Sequence, residues 1–478
     1  MKPLRPEDLE TKSADVLAEN VAALKVLFPE AFTEGKIDFA VLKQLLGGAL
    51  EDREEKYGLS WHGKRQARQL ALTPSTGTLR PRPEESVDWD TTQNLMIEGD
   101  NLEVLKLLQK SYAGKVKLIY IDPPYNTGKD FVYPDNFRDN IQNYLSMTGQ
   151  IDEAGTRRSS NSEASGRFHT TWMSMMFPRL KAARNLLSDD GLLFVTIDDN
   201  EVGHLRLLMA EIFGEENFIC NVVWQKAYTA NQTAQFISDT HDHILVVEKN
   251  LGAVRLGRFQ RTEDQKAKFK NPDADPRGPW KAENLSAGKF YAAGQYEIVG
   301  PTGERFKPPA GRYWRCNEAT YNEWLADGRI TFGQGGDGRP MLKKYLAEVE
   351  EGLTPQSWWT HEEFGSNKEA SIELKALFDG EAVFQTPKPV KLIRRICELA
   401  TPETGVVLDF FAGSGTTGHA VMTANATAGG RLRYILVQMP EPIEEYKVTL
   451  DQDSDILDRL LADCPAQYAN ENGTPSMR

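Results

Sequence analysis

Apolar positions along this chain follow two periods, and the places where one gives way to the other outline its organisation. In residues 1–58 they recur at helical spacing, as in Asp15-Val16-Leu17-Ala18-Glu19-Asn20-Val21-Ala22-Ala23-Leu24, which predicts an N-terminal helical segment over 1–72. Thr73 to Pro83, rich in Thr, Pro, Ser and Gly, reads as a linker. Short apolar runs then alternate with amphipathic stretches. Strands are expected at Asn94–Ile97, Val116–Ile121, Leu192–Ile197, Phe218–Trp224 and His243–Glu248. Helices are expected at Asn101–Lys110, Thr171–Leu187 and Glu201–Phe213, with a turn at Ser188-Asp189-Asp190-Gly191. The pattern breaks down from about Lys249 to Gly380 and returns with a helix at Pro389–Ala400, a strand at Val406–Leu408, a helix at Thr416–Ala424 and a strand at Tyr434–Val437. Strands separated by helices of this length predict an α/β fold with a doubly wound, mostly parallel sheet. The sheet is expected in two parts, 73–250 and 381–441, around an inserted domain at 251–380, with a polar, acidic tail at 442–478 containing one helix near Ile456–Leu461.

Composition narrows this picture only slightly. The chain has 478 residues, 40% of them hydrophobic and 26% charged, as expected for a globular protein of several structural units. Met1 to Glu10 has no apolar signal region, and no run of about 18 apolar residues suggests a membrane span, so a cytoplasmic location is expected. The four cysteines, Cys220, Cys316, Cys397 and Cys464, are scattered without metal-ligand spacing and read as free thiols; no metal is expected. The net charge of −13 argues mildly against a nucleic-acid partner, but DNA binding needs only a local basic surface.

Two short motifs carry the chemistry. The first, Asp409-Phe410-Phe411-Ala412-Gly413-Ser414-Gly415-Thr416-Thr417-Gly418, runs from a strand through a glycine turn into a helix. Its glycines allow close backbone approach to a ligand, and the helix start offers free N–H groups to a pyrophosphate or to a carboxylate. A tight turn without a ligand is the alternative. No GxxxxGK[ST] loop occurs. The second motif, Asp122-Pro123-Pro124-Tyr125, directly follows a strand and so lies at the carboxyl edge of the sheet, where open α/β sheets bind ligands. The lone pair of an exocyclic amine on a nucleobase is delocalised into the ring. The Asp122 carboxylate and the Pro123 carbonyl can each accept one of its N–H groups, freeing that lone pair for attack on a methyl sulfonium, while Tyr125 stacks on a base swung out of the duplex. A plain Asx–Pro turn is the structural alternative.

Together, DPPY followed much later by FAGSG resembles the amino-methyltransferases of DNA, in the order of their circularly permuted beta class. The resemblance covers most of residues 90–441. It implies S-adenosylmethionine as cofactor, N6 of adenine in double-stranded DNA as target, and a target-recognition role for the insert. Asn271-Pro272-Asp273-Ala274-Asp275-Pro276-Arg277-Gly278-Pro279-Trp280 and Pro309-Ala310-Gly311-Arg312-Tyr313-Trp314 resemble the insert of modification subunits from type III restriction systems, which points further to a homodimer and a separate restriction subunit. It assigns the cofactor to residues 409–417, to Asp100, Asn101 and Leu102, and to Lys388 in Thr386-Pro387-Lys388-Pro389. The strand after the glycine turn ends in Gln438 where the family has an acid for the ribose, so Gln438 or Glu441 is expected there. Cytosine N4 is the nearest alternative target. A nicotinamide-dependent oxidoreductase using the glycine turn leaves DPPY unexplained, and a non-catalytic DNA-binding subunit leaves it unused.

Other residues keep two readings. Asp100 is a cofactor contact or the N-cap of the following helix. Lys388 is a ligand contact or a solvated lysine. Trp172 and Met176 read as core. His241 and His243 form an HxH pair with no further metal ligand visible, and read as ordinary structure. Tyr144–Arg167 reads as a loop that orders on DNA. Arg255, Arg258, Arg261, Lys266, Lys268 and Lys270, interleaved with Phe259 and Phe269, are expected to form a phosphate-facing stripe; a merely exposed charged face is the alternative.

Overall fold

The computed structural model describes residues 14–33, 36–46, 58–127, 167–232, 234, 236–349, 352–401 and 403–439. The Tyr144–Gly166 stretch, Glu441, Cys464 and the expected helix near Ile456 lie outside these residues.

The chain divides into two compact units, residues 258–355 and the remainder. The larger unit is built on an eight-stranded sheet. Its strands are β1 (Leu95–Glu98), β2 (Val116–Ile121), β3 (Leu187–Ile197), β4 (Phe218–Trp224), β5 (Asp242–Glu248), β6 (Trp358–Trp359), β7 (Thr404–Asp409) and β8 (Arg431–Gln438). Their spatial order is β6-β4-β5-β3-β2-β7-β8-β1. The five strands from β3 to β1 are mutually parallel, as is the β6–β4 pair, and β5 runs antiparallel to both its neighbours. Helices α1 (Asn101–Tyr112), α2 (Arg167–Leu186), α3 (Val202–Phe213), α4 (Asn367–Leu377), α5 (Val390–Ala400) and α6 (Thr416–Ala428) belong to this unit, together with the short helix His361–Phe364 and with Val16–Leu27, Phe39–Leu46 and Lys64–Leu72 near the N-terminus.

The alternation of side chains along β2 explains why the sheet is covered on both faces. Ile119 and Ile121 join a core with Leu105 and Leu108 of α1, Met176 and Leu180 of α2, and Leu208 and Met209 of α3. Leu118 and Tyr120 are equally buried and face the other way. Trp61 and Ala67 extend the first core, and the Trp61 indole donates to Ser174 Oγ at 3.0 Å, tying the N-terminal region to α2.

Two expectations are corrected. Ser188–Gly191 lies within β3, where Leu187 pairs with Val116 and Leu192 with Leu118. The extra β3 residues are accommodated by an irregularity of the pairing, and Asp189 and Asp190 stand exposed. The second unit spans 258–355, narrower than the 251–380 read from the sequence. Residues beyond 355 return to the large sheet because Trp358 and Trp359 pair with Val223 and Trp224. Trp359 then stacks on Phe364 at 4.3 Å, and Ser366 and Glu369 form a capping box at the start of α4.

The smaller unit contains a three-stranded antiparallel sheet, Ile330–Thr331, Met341–Tyr345 and Trp280–Asn284. Its apolar core includes Leu285, Ile298, Trp314, Tyr321 and Phe332. Asp275 is held by Arg277, Lys343 and the Tyr345 hydroxyl. The Arg277 and Tyr345 hydrogen bonds keep its carboxyl well below the usual range.

Candidate active site

Parallel strands align their carboxyl ends, so the neighbours β2, β7, β8 and β1 bring DPPY, the glycine turn, Gln438 and Glu98–Asp100 to one edge of the sheet.

The glycine turn begins from a buried clamp. Asp409 is 3% exposed and accepts from the Phe411 N–H (3.0 Å) and the Thr417 hydroxyl (2.5 Å), joining the end of β7 to the first turn of α6. Burial pushes its carboxyl up to about 7. Gly413 and Gly415 have φ of 50° and 76°, in the left-handed region that favours glycine. A Cβ at Gly413 would lie 3.1 Å from Phe384 Cζ. Helix α6 starts at Gly415 with no side-chain cap, so its first N–H groups are available to an anion. Ser414 and Thr416 hydroxyls are 2.9 Å apart beside it.

Several residues expected at the cofactor also make scaffold contacts. Asn101 is buried; its amide donates to Phe410 O at 2.7 Å and accepts from Arg179 Nε at 2.6 Å. Leu102, Phe410 and Thr417 are also fully buried, and Phe411 and Ala412 are nearly so. Asp100 caps α1 by accepting from the Glu103 N–H at 3.1 Å, and its other oxygen lies 3.5 Å from Arg179. The Gln438 side-chain oxygen accepts from the Gly413 N–H at 2.8 Å. Arg179, fully buried on α2, joins the start of α1 to the residue after β7 through Asn101, and its local pattern does not reveal it. An arginine on an amphipathic helix ordinarily reads as solvent-facing.

DPPY continues directly from β2. Lys388, on the segment before α5, is 8% exposed and donates to Asp122 Oδ2 at 2.6 Å. It is therefore not a solvated lysine. Its ammonium lies 5.0 Å from the centre of the Tyr125 ring. The other Asp122 oxygen, Oδ1, is buried without a hydrogen-bond partner. Desolvation raises the Asp122 pKa, with Lys388 acting against it. The Tyr125 hydroxyl donates to Asp242 Oδ2 at 3.0 Å, and Lys226 bonds Asp242 Oδ1 at 2.8 Å. Burial raises the Tyr125 pKa, so the phenol stays neutral. Trp172 and Met176 are fully buried, as a core reading expects, and the Trp172 indole also donates to Pro124 O at 2.7 Å.

Outside this edge, Asp199 comes within 2.9 Å of His243 Nε2 and supplies the HxH pair with a third donor that the sequence does not reveal, though Asp199 is exposed. Arg255, Arg258, Lys266, Lys268 and Lys270 are exposed and Arg261 half-buried, whereas Phe259 and Phe269 are buried anchors rather than stacking surfaces. Cys220, Cys316 and Cys397 are free. Among the described residues, no helix is long and apolar enough to cross a membrane.

A strand–DPPY edge beside a strand–glycine-turn–helix edge is the arrangement of a DNA methyltransferase, and residues 116–445 match the DNA methylase family of N6 and N4 enzymes. The chain belongs to this S-adenosylmethionine-dependent family. Within it, the chain is 36% identical to the Mod subunit of the type III restriction-modification enzyme StyLTI of Salmonella typhimurium, over 90% of this chain and 66% of that one. It is 34% identical to the EcoPI Mod subunit of Escherichia phage P1, over 93% and 73%, and 31% identical to the EcoP15I Mod subunit of Escherichia coli, over 92% and 74%. The chain thus spans about two thirds to three quarters of the length of these relatives, and it belongs with the type III Mod subunits.

The site fits the cofactor that the family implies. The uncapped start of α6 offers donors to a carboxylate, the backbone at Gly413 leaves no room for a side chain beside it, and the unpartnered Asp122 Oδ1 lies at the same sheet edge.

Proposed function

We propose that this protein methylates N6 of an adenine flipped out of double-stranded DNA, as the modification subunit of a restriction-modification system. The observation that carries the proposal is the division of labour at Asp122. Lys388 occupies Oδ2 and holds the carboxylate in place, while Oδ1 is buried and free to accept a hydrogen bond. A buried acceptor without a partner costs about 1–3 kcal/mol, so a site that keeps one is prepared for a donor. The amine supplies it: one N–H to Asp122 Oδ1, the other to the Pro123 carbonyl. Tyr125, fixed through its hydroxyl by Asp242, presents its ring to the base. The bound cofactor supplies an electrophilic methyl group. The amine proton leaves after attack, so Asp122 orients and polarises without having to serve as a full general base.

Sequence similarity to Mod subunits supports a homodimer and a separate restriction subunit. The exposed basic residues of 255–270 are assigned to phosphates, and the 258–355 unit to target recognition. The test is transfer of labelled methyl from S-adenosylmethionine to unmethylated mixed-sequence duplex DNA by the wild type and Asp122→Ala, followed by digestion to nucleosides. Label in N6-methyladenine that is lost in Asp122→Ala is the expected result. Label in N4-methylcytosine overturns the assigned base, and an Asp122→Ala variant as active as wild type overturns the assigned residue.

A further inference from the structure

Next to the site lies a buried carboxylate that the proposed chemistry does not use. Glu201 precedes α3 and is 0% exposed, yet its side chain makes no helix cap. Its Oε1 instead accepts from Asn126 Nδ2 at 2.5 Å and pairs with His169 Nδ1 at 2.7 Å, and Oε2 pairs with His204 Nδ1 at 2.9 Å. The two imidazoles lie side by side with their planes tilted by 32° and centroids 4.5 Å apart. Three segments distant in sequence therefore meet on one carboxylate.

Asn126 directly follows Tyr125. Its φ is 59°, left-handed, and it is 4% exposed. Asparagine tolerates this conformation better than most residues, but a left-handed position still needs its surroundings to hold it. Glu201 supplies that hold. The same helix that carries His169 carries Trp172, whose indole grips Pro124 O. The DPPY segment is thus fastened from α2 at Pro124 and from the start of α3 at Asn126, on either side of Tyr125.

His169, Glu201 and His204 also form a donor set of the kind that holds metal ions. Asn126 favours a different reading. Only its amide nitrogen can face a carboxylate, and that nitrogen has no lone pair for a metal. The carboxylate is met by hydrogen-bond donors.

We infer that Glu201 is a positioning residue for methyl transfer: through Asn126 it fixes the left-handed turn after Tyr125 and so sets how Tyr125 and the two acceptors before it meet the target base. The inference rests on the proposed methyltransferase reading, and it predicts an effect on turnover rather than on cofactor binding, since no Glu201 contact reaches the glycine turn among those described.

The experiment uses the full chain in the labelled-methyl assay, with kcat and KM for DNA and a separate titration of S-adenosylmethionine binding. Asn126→Asp sets a second carboxylate against Glu201, and kcat is expected to fall about tenfold or more, the effect of one lost buried hydrogen bond, with cofactor affinity unchanged. Glu201→Gln on its own is also impaired. The double variant Asn126→Asp with Glu201→Gln restores a carboxylate–carboxamide pair in the opposite direction and is expected to regain most of the activity lost in Asn126→Asp. If Asn126→Asp does not fold, Asn126→Gly keeps the left-handed backbone without the anchor and is expected to show the same loss of kcat with cofactor binding intact. Wild-type kcat in Asn126→Asp or Asn126→Gly overturns the inference, as does a double variant no more active than Asn126→Asp, or a loss confined to cofactor binding. A wild type that transfers no label to DNA overturns the underlying methyltransferase reading instead, which keeps the two failures distinct.

Discussion

Lys388→Met isolates the electrostatics of the proposed catalytic carboxylate. In the wild type Asp122 is pulled in two directions: burial raises its pKa, and the Lys388 ammonium at 2.6 Å lowers it. The substitution keeps most of the side-chain volume and removes the charge. Burial then acts without the opposing ammonium, the Asp122 pKa rises further, and at any given pH a smaller fraction is ionised. A hydrogen bond to a charged group contributes about 1.5–3 kcal/mol, which corresponds to a roughly ten- to hundredfold smaller ionised fraction on the acidic side. Only the ionised carboxylate accepts the amine N–H on either oxygen, so the acidic limb of the rate profile follows this pKa. The assay is single-turnover methyl transfer at saturating cofactor and DNA, from about pH 5 to 9. The limb is expected to move to higher pH, with the rate below it falling about ten- to hundredfold. Lys388→Arg keeps the cation and should leave the limb close to its wild-type position. A limb that stays fixed in Lys388→Met, or moves to lower pH, refutes the role given to this pair.

Three further predictions concern the scaffold. Asp409 has a pKa near 7 in the fold against 3.8 when unperturbed, so the folded state holds a proton that the unfolded chain has released, and stability falls as pH rises through that window. Asp409→Asn should remove that dependence, and the stability difference between variant and wild type, measured by denaturant unfolding, should change by on the order of 4 kcal/mol between about pH 4 and 7; a difference that stays constant with pH refutes this. Gly413→Ala places a Cβ 3.1 Å from Phe384 Cζ, and titration should show S-adenosylmethionine binding weakened by about tenfold, with partial recovery when Phe384→Leu is added; unchanged affinity removes Gly413 from the cofactor cradle. Trp172→Phe leaves Pro124 O without its donor at 2.7 Å, and kcat should fall several-fold with little change in the KM for DNA, as read in the same labelled-methyl assay; an unchanged kcat shows that Pro124 needs no such tether.

The parallel sheet was legible in the sequence because buried strands declare themselves as apolar runs. Val116–Ile121 and Phe218–Trp224 have the bounds their pattern predicts. Ser188–Gly191 misled because its Ser, Asp and Gly suit a turn, while the pairing of β2 with β3 accommodates them as an irregularity. The edge strand Trp358–Trp359 was missed because two residues carry no period, and its strand character comes from pairing with β4. At the site, the positions of DPPY and the glycine turn could be read from their strand contexts. Their supports could not be. Lys388 meets Asp122 across 266 positions, and Asn101 meets Phe410 O across 309. Arg179, Asp242 and Glu201 are polar residues whose local pattern suggests solvent, and each is buried only because a distant partner satisfies it.

By itself, then, the sequence determined the alternation that builds the sheet, the two strand-end motifs and their order, because each depends on residues adjacent in the chain. The tertiary structure alone decided which strands became neighbours, and with that which distant partners the expected ligand residues meet. Asp100 became a helix cap, Gln438 a brace for Gly413, and Lys388 the partner of Asp122. The physical reason is that burying a polar group is tolerable only when it is paired. That pairing is settled by which groups the fold brings within about 3 Å, a property of packing that local spacing along the chain does not encode.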